Sequence, residues 1–216
     1  MLRTGRLTTA QRRALEELWP QFGLDIKAQA INLAELFNRK APVTLEIGFG
    51  NGENLVAMAL AAPEQNFLGI EVHEPGVGHC LLGIEKHRLS NVRLIRHDAV
   101  EVLETAIADE SLDRINLFFP DPWHKKRHNK RRIVQRNFTR LMAKKLREGG
   151  VFHVATDWPN YAEHIAEVLT NSPEFIELPE APNDRTVTRF DKRGSKLGHT
   201  NWERAWCTRN KLPIQP

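Results

Sequence analysis

Short apolar runs alternate with longer stretches of helical period from Val43 onward. The runs are VTLEIG (43–48), NFLGIEV (66–72), NVRLIRH (91–97), DRINLFF (113–119) and GVFHVAT (150–156). Between them lie 52–62, 75–89, 99–108 and 129–148, each long enough for a crossover helix. Strand–helix alternation at this spacing predicts parallel βαβ units and a doubly wound α/β sheet. Residues 8–19 and 25–38 read as two helices ahead of the sheet, and 160–171 as one behind it. The stretch from Pro179 to Gly198 is rich in Pro, Gly, Asn and Arg and reads as a long loop. WERAWCTR (202–209) reads as the last strand.

The chain has 216 residues, which fits a single domain spanning 1–216 with residues 1–40 packed on it as a helical segment. Its longest apolar run, Leu55 to Ala62, is far short of the roughly 20 residues a membrane-spanning helix needs. The first 20 residues carry no apolar core of a secretory signal. Cys80 and Cys207 are the only cysteines; they suit neither a disulfide framework nor a metal cluster, and they fit a reducing cytoplasm.

The net charge of +4 hides an uneven distribution. From Pro122 to Arg147 there is no Asp or Glu, while eleven Lys or Arg fall there, so the remaining chain is seven net negative. One dense cationic block on an otherwise acidic protein predicts a single anionic partner docking at one place. A helix that needs only solubility mixes signs, because like charges at i,i+4 repel. Arg132, Arg136, Arg140 and Lys144 are spaced by four and predict a cationic ridge on an amphipathic helix, with Val134, Phe138, Leu141 and Met142 on the opposite face. The ridge has no apolar side chain beside it for insertion into a lipid surface, which favours a polyanion over a membrane.

Open α/β sheets bind ligands at the carboxyl ends of their strands. The first strand there runs into Gly48-Phe49-Gly50-Asn51-Gly52, and the second ends in Glu71, a position suited to ribose hydroxyls. The glycine spacing is GxGxG. The third glycine of a dinucleotide fingerprint is replaced by Glu53, which would confront a pyrophosphate with an acid. Glu46, Glu71, Asp98, Asp121 and Asp157 all fall in or just after strands. Such a field tolerates S-adenosylmethionine, with its sulfonium and ammonium, better than NAD. A carboxylate inside an apolar strand, as at Glu46, costs several kcal/mol unless paired; a neighbouring Lys or Arg and the methionyl ammonium of a cofactor are both candidates. Asp98 precedes a helix, where it can act as an N-cap, meet an adenine amino group, or do both.

Phe118-Phe119-Pro120-Asp121-Pro122-Trp123 sets one carboxylate between two prolines at a strand end, with an aromatic following. Proline fixes φ, so the turn is stiff and its acceptors point in set directions. Acceptors beside an aromatic face suit a purine. With the cationic block starting immediately afterwards, the arrangement reads as a methyltransferase acting on a nucleic-acid base. His124 and His128 are i,i+4 but lie among cations that repel a metal, so no metal site is expected.

The segments LEIGFGNGENL (45–55), GIEVHEPGVG (69–78), RHDAVEVL (96–103), FFPDPWHKKRHNKRRIVQ (118–135), HVATDWPNYAEH (153–164) and TRFDKRGSKLGH (188–199) closely resemble bacterial tRNA (guanine-N7)-methyltransferases. The resemblance covers roughly residues 6–209. It implies a Rossmann-like class I methyltransferase fold with a mostly parallel seven-stranded sheet and helices on both faces. It also implies transfer of a methyl group from S-adenosylmethionine to N7 of guanine 46 in the tRNA variable loop. By the same resemblance Glu46, Gly48, Gly50, Glu71, Asp98 and Asp121 bind the cofactor, and Asp121 is the catalytic residue. Lys125, Asp157 and Thr188-Arg189-Phe190-Asp191 are implied substrate contacts, residues 179–198 form a substrate loop, and Arg127 to Arg132, with Arg131 among them, face RNA. Members of the family usually carry Glu where this chain has Asp191. The implied partner is tRNA, with neither membrane nor metal, for a cytoplasmic monomer or homodimer. The alternatives are another RNA-base methyltransferase of the same fold and a non-catalytic RNA-binding subunit.

Overall fold

In the computed structural model, which describes residues 6–26, 30–186 and 201–209, the apolar runs form the centre of one sheet. Its strands are β1 (Gly23–Leu24), β2 (Val43–Ile47), β3 (Asn66–Ile70), β4 (Val92–Ile95), β5 (Leu112–Phe118), β6 (Leu146–Thr156), β7 (Phe175–Glu177) and β8 (Trp202–Thr208). Their spatial order is β1-β4-β3-β2-β5-β6-β8-β7. All neighbours are parallel except at β8, which runs antiparallel to both β6 and β7. The sheet is thus mostly parallel, with eight strands rather than the expected seven. Two strands lie outside the six runs read from the sequence: β7, and β1, whose Gly23 and Leu24 pair with Leu94 and Ile95 on the outer edge of β4.

That edge pairing also corrects the expectation of a helix over 25–38. Among the described residues, the N-terminal region holds α1 (Thr9–Glu17), α2 (Trp19–Phe22) and one later turn, α3 (Leu33–Leu36). Leu24, Ile26, Ile31 and Leu33 do not form a helical stripe. Each packs against the core, and the Ile31 N–H donates to the carbonyl of Ala106 at 2.8 Å. Gly23 sits so close to Trp19 that a Cβ there would lie 2.0 Å from the indole. The first predicted helix does form: Thr8 and Gln11 close a reciprocal capping box, which satisfies two N–H groups at the helix start.

The remaining helices are α4 (Glu53–Ala61), α5 (Glu74–His87), α6 (Ala99–Thr105), α7 (Arg136–Lys145) and α8 (Pro159–Thr170). Residues 129–148 are not one helix. A 3-10 turn (Lys126–Arg131) comes first, Arg132 is extended, and α7 begins after Gln135.

Successive strand residues face opposite sides of a sheet. On one side Val43, Leu45, Ile47, Leu68, Ile70, Ile115, Leu117, Phe152 and Val154 join side chains of α6, α7 and α8 in one apolar cluster. The other side is apolar only under β3 and β4, where Phe67, Val92 and Leu94 meet α1, α4 and α5. Under β2, β5 and β6 it is polar. Glu46 registers with Asn116, Asn116 registers with His153, and all three are buried. A buried polar row is stable only when every member is satisfied, and its partners turn out to lie in the site.

Candidate active site

The strand order reverses between β2 and β5: β3 and β4 follow β2 on one side, while β6 lies beyond β5 on the other. The crevice at such a switch point is where a sheet of this kind holds its ligand. Glu46, Gly48, Gly50, Glu71, Asp98, Asp121 and Asp157 lie in or just after the strands that flank it.

The loop after β2 contains three glycines in the left-handed region, with φ of 69° at Gly48, 59° at Gly50 and 78° at Gly52. Gly52 caps α4, and a Cβ on it would lie 2.4 Å from the Cys80 sulfur, so conformation and space both demand glycine. At Gly48 a Cβ would meet nothing within 4 Å; conformation alone requires glycine, and the space beside it is open to a ligand.

Glu71 follows β3 and fastens this loop. Its Oε2 accepts from the Gly50 N–H at 2.8 Å, while Oε1 accepts from the N–H groups of Val72 and His73 at 2.8 and 2.9 Å. Asp98 caps α6 through Oδ1, which accepts from Val100 and Glu101 at 2.9 and 3.1 Å. Glu46 is 3% exposed, and its Oε2 accepts from the Asn54 amide at 2.7 Å. Burial pushes its carboxyl up to about 7, against the opposing pull of that hydrogen bond and of the positive charges on Arg114 and Arg185.

Across the crevice, β5 ends in the Pro120-Asp121-Pro122 turn. The turn is bracketed by two left-handed non-glycine residues, Phe119 at φ 51° and Trp123 at φ 49°. Such strain persists where surrounding contacts over-determine it, commonly at functional sites. The Phe119 N–H donates to Ala155 at 2.8 Å, and Asp121 Oδ1 accepts from the Trp123 N–H at 3.1 Å, leaving the carboxylate exposed. Asp157 follows the neighbouring strand β6, so these two acids stand at adjacent strand ends. Two aromatic contacts join the turn to its surroundings: His124 meets Trp158 at 4.3 Å, and the Arg131 guanidinium lies 5.0 Å over Trp123.

Lys125, Lys126, Arg127, Lys130 and Arg131 are exposed on and beside the 3-10 turn. Arg132 is not among them. It is 3% exposed and turned inward, donating to the carbonyl of Pro122 at 3.0 Å and to Asn160 Oδ1 at 2.7 Å, with its guanidinium 4.8 Å over Tyr161. The expectation that Arg132 faces RNA and heads a four-residue helical ridge is therefore corrected. Its partners on α8 hold it, and α7 keeps only Arg136, Arg140 and Lys144 on an exposed stripe. Thr188, Arg189, Phe190 and Asp191 lie outside the described residues.

Sequence reasoning missed the polar network beneath this site. Arg114 donates to Asn116 at 2.7 Å and pairs with Asp184 at 2.5 Å. It also donates to His153 Nδ1 at 2.6 Å, so Nε2 carries the proton and donates to Glu203 at 2.8 Å. Burial pushes the His153 imidazole down, which agrees with a neutral ring. Burial alone would raise Glu203, but the hydrogen bonds from His153 and Arg185 hold it below the usual range. The available signal was three polar residues, 114, 116 and 153, inside otherwise apolar strands.

The switch-point crevice, its glycine loop and its strand-end acids match a methyltransferase. A family model described as "Putative methyltransferase" matches residues 40–204. Among solved structures, the 16S rRNA methyltransferase KamB aligns with a TM-score of 0.60 at 13% identity, over 87% of this chain and 98% of its own. An antibiotic-related methyltransferase aligns at 0.56 and 18%, over 86% and 94%. These structural matches establish the fold, a Rossmann-like class I methyltransferase. In sequence, the tRNA (guanine-N(7)-)-methyltransferase of Shewanella amazonensis is 56% identical over 94% of this chain and 88% of its own length. That of Salmonella typhimurium is 55% identical over 93% and 87%. The chain belongs to the bacterial tRNA (guanine-N7)-methyltransferase family.

Proposed function

We propose that this protein transfers a methyl group from S-adenosylmethionine to N7 of guanine 46 in the tRNA variable loop, in the cytoplasm. The observation that carries the reading is the stiff Pro120-Asp121-Pro122 turn. It stands across the switch point from the glycine loop and leads directly into the exposed cations of residues 125–131. A purine held against it has the cofactor crevice on one side and a phosphate-binding cluster on the other.

The residues present fit the cofactor. Gly48 leaves open space beside the backbone, Glu46 offers a buried carboxylate to an ammonium, Glu71, held beside Gly50, would accept from ribose hydroxyls, and Asp98, the cap of α6, would accept from an adenine amino group. When bound, the cofactor supplies an electrophilic methyl carbon on a sulfonium.

Guanine N7 has a lone pair and no proton to lose, so Asp121 is not needed as a strong base. The protein contributes position: its residues would orient N7 toward the sulfonium methyl group, whose bond to sulfur breaks as the bond to N7 forms, leaving S-adenosylhomocysteine. Positive charge moves onto the purine as the new bond forms. The fixed Asp121 carboxylate stabilises that charge more in the transition state than in the ground state. Asp157 holds the guanine edge, while Lys125, Arg127 and Arg131 take phosphates. The stretch 188–191 belongs to the same substrate assignment.

The test is methyl transfer from labelled S-adenosylmethionine to an unmodified tRNA transcript, followed by nucleoside analysis. The expected product is 7-methylguanosine, lost when guanine 46 is replaced by adenine. Transfer to another position overturns the site, and no transfer overturns the reading. Asp121→Ala is expected to lower turnover on bound tRNA by about 100-fold or more, the scale of losing one preorganised electrostatic group, with tRNA affinity nearly unchanged.

A further inference from the structure

Asn54 has no part in the roles assigned above, yet it joins two parts of the site. It lies in the first turn of α4 and is 3% exposed. Its Nδ2 donates to Glu46 Oε2 at 2.7 Å, and its Oδ1 accepts from the backbone N–H of Thr186 at 2.9 Å. A reversed amide would set oxygen against carboxylate and NH2 against N–H, so both partners determine one orientation.

Asp184, Arg185 and Thr186 form a strap whose residues are each held separately. Asp184 pairs with Arg114 at 2.5 Å. Arg185 pairs with Glu203 at 3.0 Å and lies 5.6 and 5.3 Å over the rings of Phe118 and Phe119. Phe119 is the left-handed residue that opens the Pro-Asp-Pro turn. One amide therefore links the buried acid of the cofactor crevice to a strap packed on the turn that presents Asp121.

We infer that Asn54 is a positioning residue that makes cofactor binding and tRNA binding reinforce each other through the strap 184–186. The inference rests on the reading of Glu46 as the anchor for the cofactor's ammonium. A cationic ligand holds Glu46 as a carboxylate. A hydrogen bond to a carboxylate is roughly twice as strong as one between neutral groups. Donation from Nδ2 to a charge also polarises the amide and makes Oδ1 a better acceptor for Thr186. With the crevice empty, burial opposes charge on Glu46 and both bonds weaken together. Coupling of this kind is reciprocal, so tRNA binding strengthens cofactor binding by the same factor.

The test uses the whole protein, unmodified tRNA and S-adenosylhomocysteine, which keeps the ammonium but cannot turn over. In the wild type, saturating S-adenosylhomocysteine is expected to raise tRNA affinity by about fivefold or more, the lower range of measured couplings, and saturating tRNA to raise S-adenosylhomocysteine affinity equally. Thr186→Pro removes the N–H that Asn54 accepts and leaves the bond to Glu46. It should bring both factors close to one while S-adenosylhomocysteine affinity in the absence of tRNA falls by no more than the wild-type coupling factor, a pattern that general loss of structure does not produce. Asn54→Ala should abolish the coupling and also weaken S-adenosylhomocysteine alone; should it fail to fold, Thr186→Pro still decides. A wild-type factor of one, or full coupling in Thr186→Pro, overturns the inference even where methylation is normal. If S-adenosylhomocysteine does not bind the wild type at all, the proposed function fails and this inference with it.

Discussion

Residues 125–131 and 132–147 come from one acid-free run, and their cations end in different surroundings. In the first part Lys125, Lys126, Arg127, Lys130 and Arg131 are exposed and pair with no Asp or Glu among the described residues. In the second, Arg136 stays exposed, but Arg132 is buried, Arg140 lies 3.8 Å from Glu174, Lys144 and Lys145 share Asp109, and Arg147 pairs with Asp113 at 2.5 Å. The acids missing from the local sequence arrive from the α6–β5 connection, from β5 and from the approach to β7. A run without acids is therefore not a run without partners. Chain folding neutralises much of 132–147 and leaves 125–131, beside the Asp121 turn, as the concentrated cationic surface.

Arg132 tests that division most severely. Its replacement by Ala strands the Pro122 carbonyl and Asn160 and leaves a void over Tyr161. Each buried acceptor left without its donor costs about 1–3 kcal/mol, so urea unfolding should show a loss of about 2–5 kcal/mol. Arg132→Lys should recover less than half, because an ammonium cannot reach two directions at once. A loss under about 1 kcal/mol, near the surface-substitution range, would return Arg132 to the exposed group.

The second contrast is between two buried charges. Arg132 has partners on several sides, whereas Glu46 has the Asn54 amide and more distant positive charge. Its carboxyl is raised from 4.5 to about 7 by burial. A folded-state value above the unfolded one contributes stability that is full below about 4.5 and is lost as pH rises through about 7. At 1.36 kcal/mol per unit, the loss is on the order of 3 kcal/mol. Glu46→Gln should therefore stabilise the free protein relative to wild type at pH 8 and show no such advantage near pH 4. A ligand ammonium needs the carboxylate, so wild-type affinity for S-adenosylhomocysteine should fall as pH drops below about 7, with a proton released on binding. Calorimetry in buffers of different ionisation enthalpy measures that proton. Affinity independent of pH from 6 to 8 would remove Glu46 from the ammonium site.

These contrasts also show what could be read in advance. The parallel strands were legible because β2 and β3 are buried at every position and bounded by turns, so apolar runs and strands coincide within a residue or two. The strand-end acids stood out because polar residues at the end of an apolar run need a reason. The 25–38 segment was misread because Leu24, Ile26, Ile31 and Leu33 are placed by an edge strand and distant core contacts, not by local period. The break at Arg132 was invisible because it is decided by Asn160 and Tyr161, some 28 residues later. Asn54 looked like an ordinary polar residue at a helix start; its second partner lies 132 residues away.

Charge reversal at Lys125 and Arg131 together should weaken tRNA binding and lower the dependence of log affinity on log salt by roughly 0.7–0.9 per lost phosphate contact. Stability should stay within about 0.5 kcal/mol of wild type, as for surface changes, apart from the small contribution of Arg131 over Trp123. An unchanged salt slope would take the 3-10 turn out of the RNA surface.

Arg140→Gln combined with Lys144→Gln is the smallest and most discriminating change. Both side chains are exposed on α7, and their partners, Glu174 and Asp109, lie 3.8 and 3.7 Å away. Exposed pairs of this kind contribute about 0.2–1 kcal/mol each, and Asp109 keeps its closer bond to Lys145 at 2.7 Å. Stability should therefore fall by at most about 2 kcal/mol in total. If the two halves of the cationic run differ as described, the salt slope of tRNA binding should remain that of the wild type, because these charges are already matched by the protein. A slope reduced as much as in the Lys125 and Arg131 reversal would mean that RNA displaces Glu174 and Asp109 from their partners, and that the cationic surface extends along α7 after all.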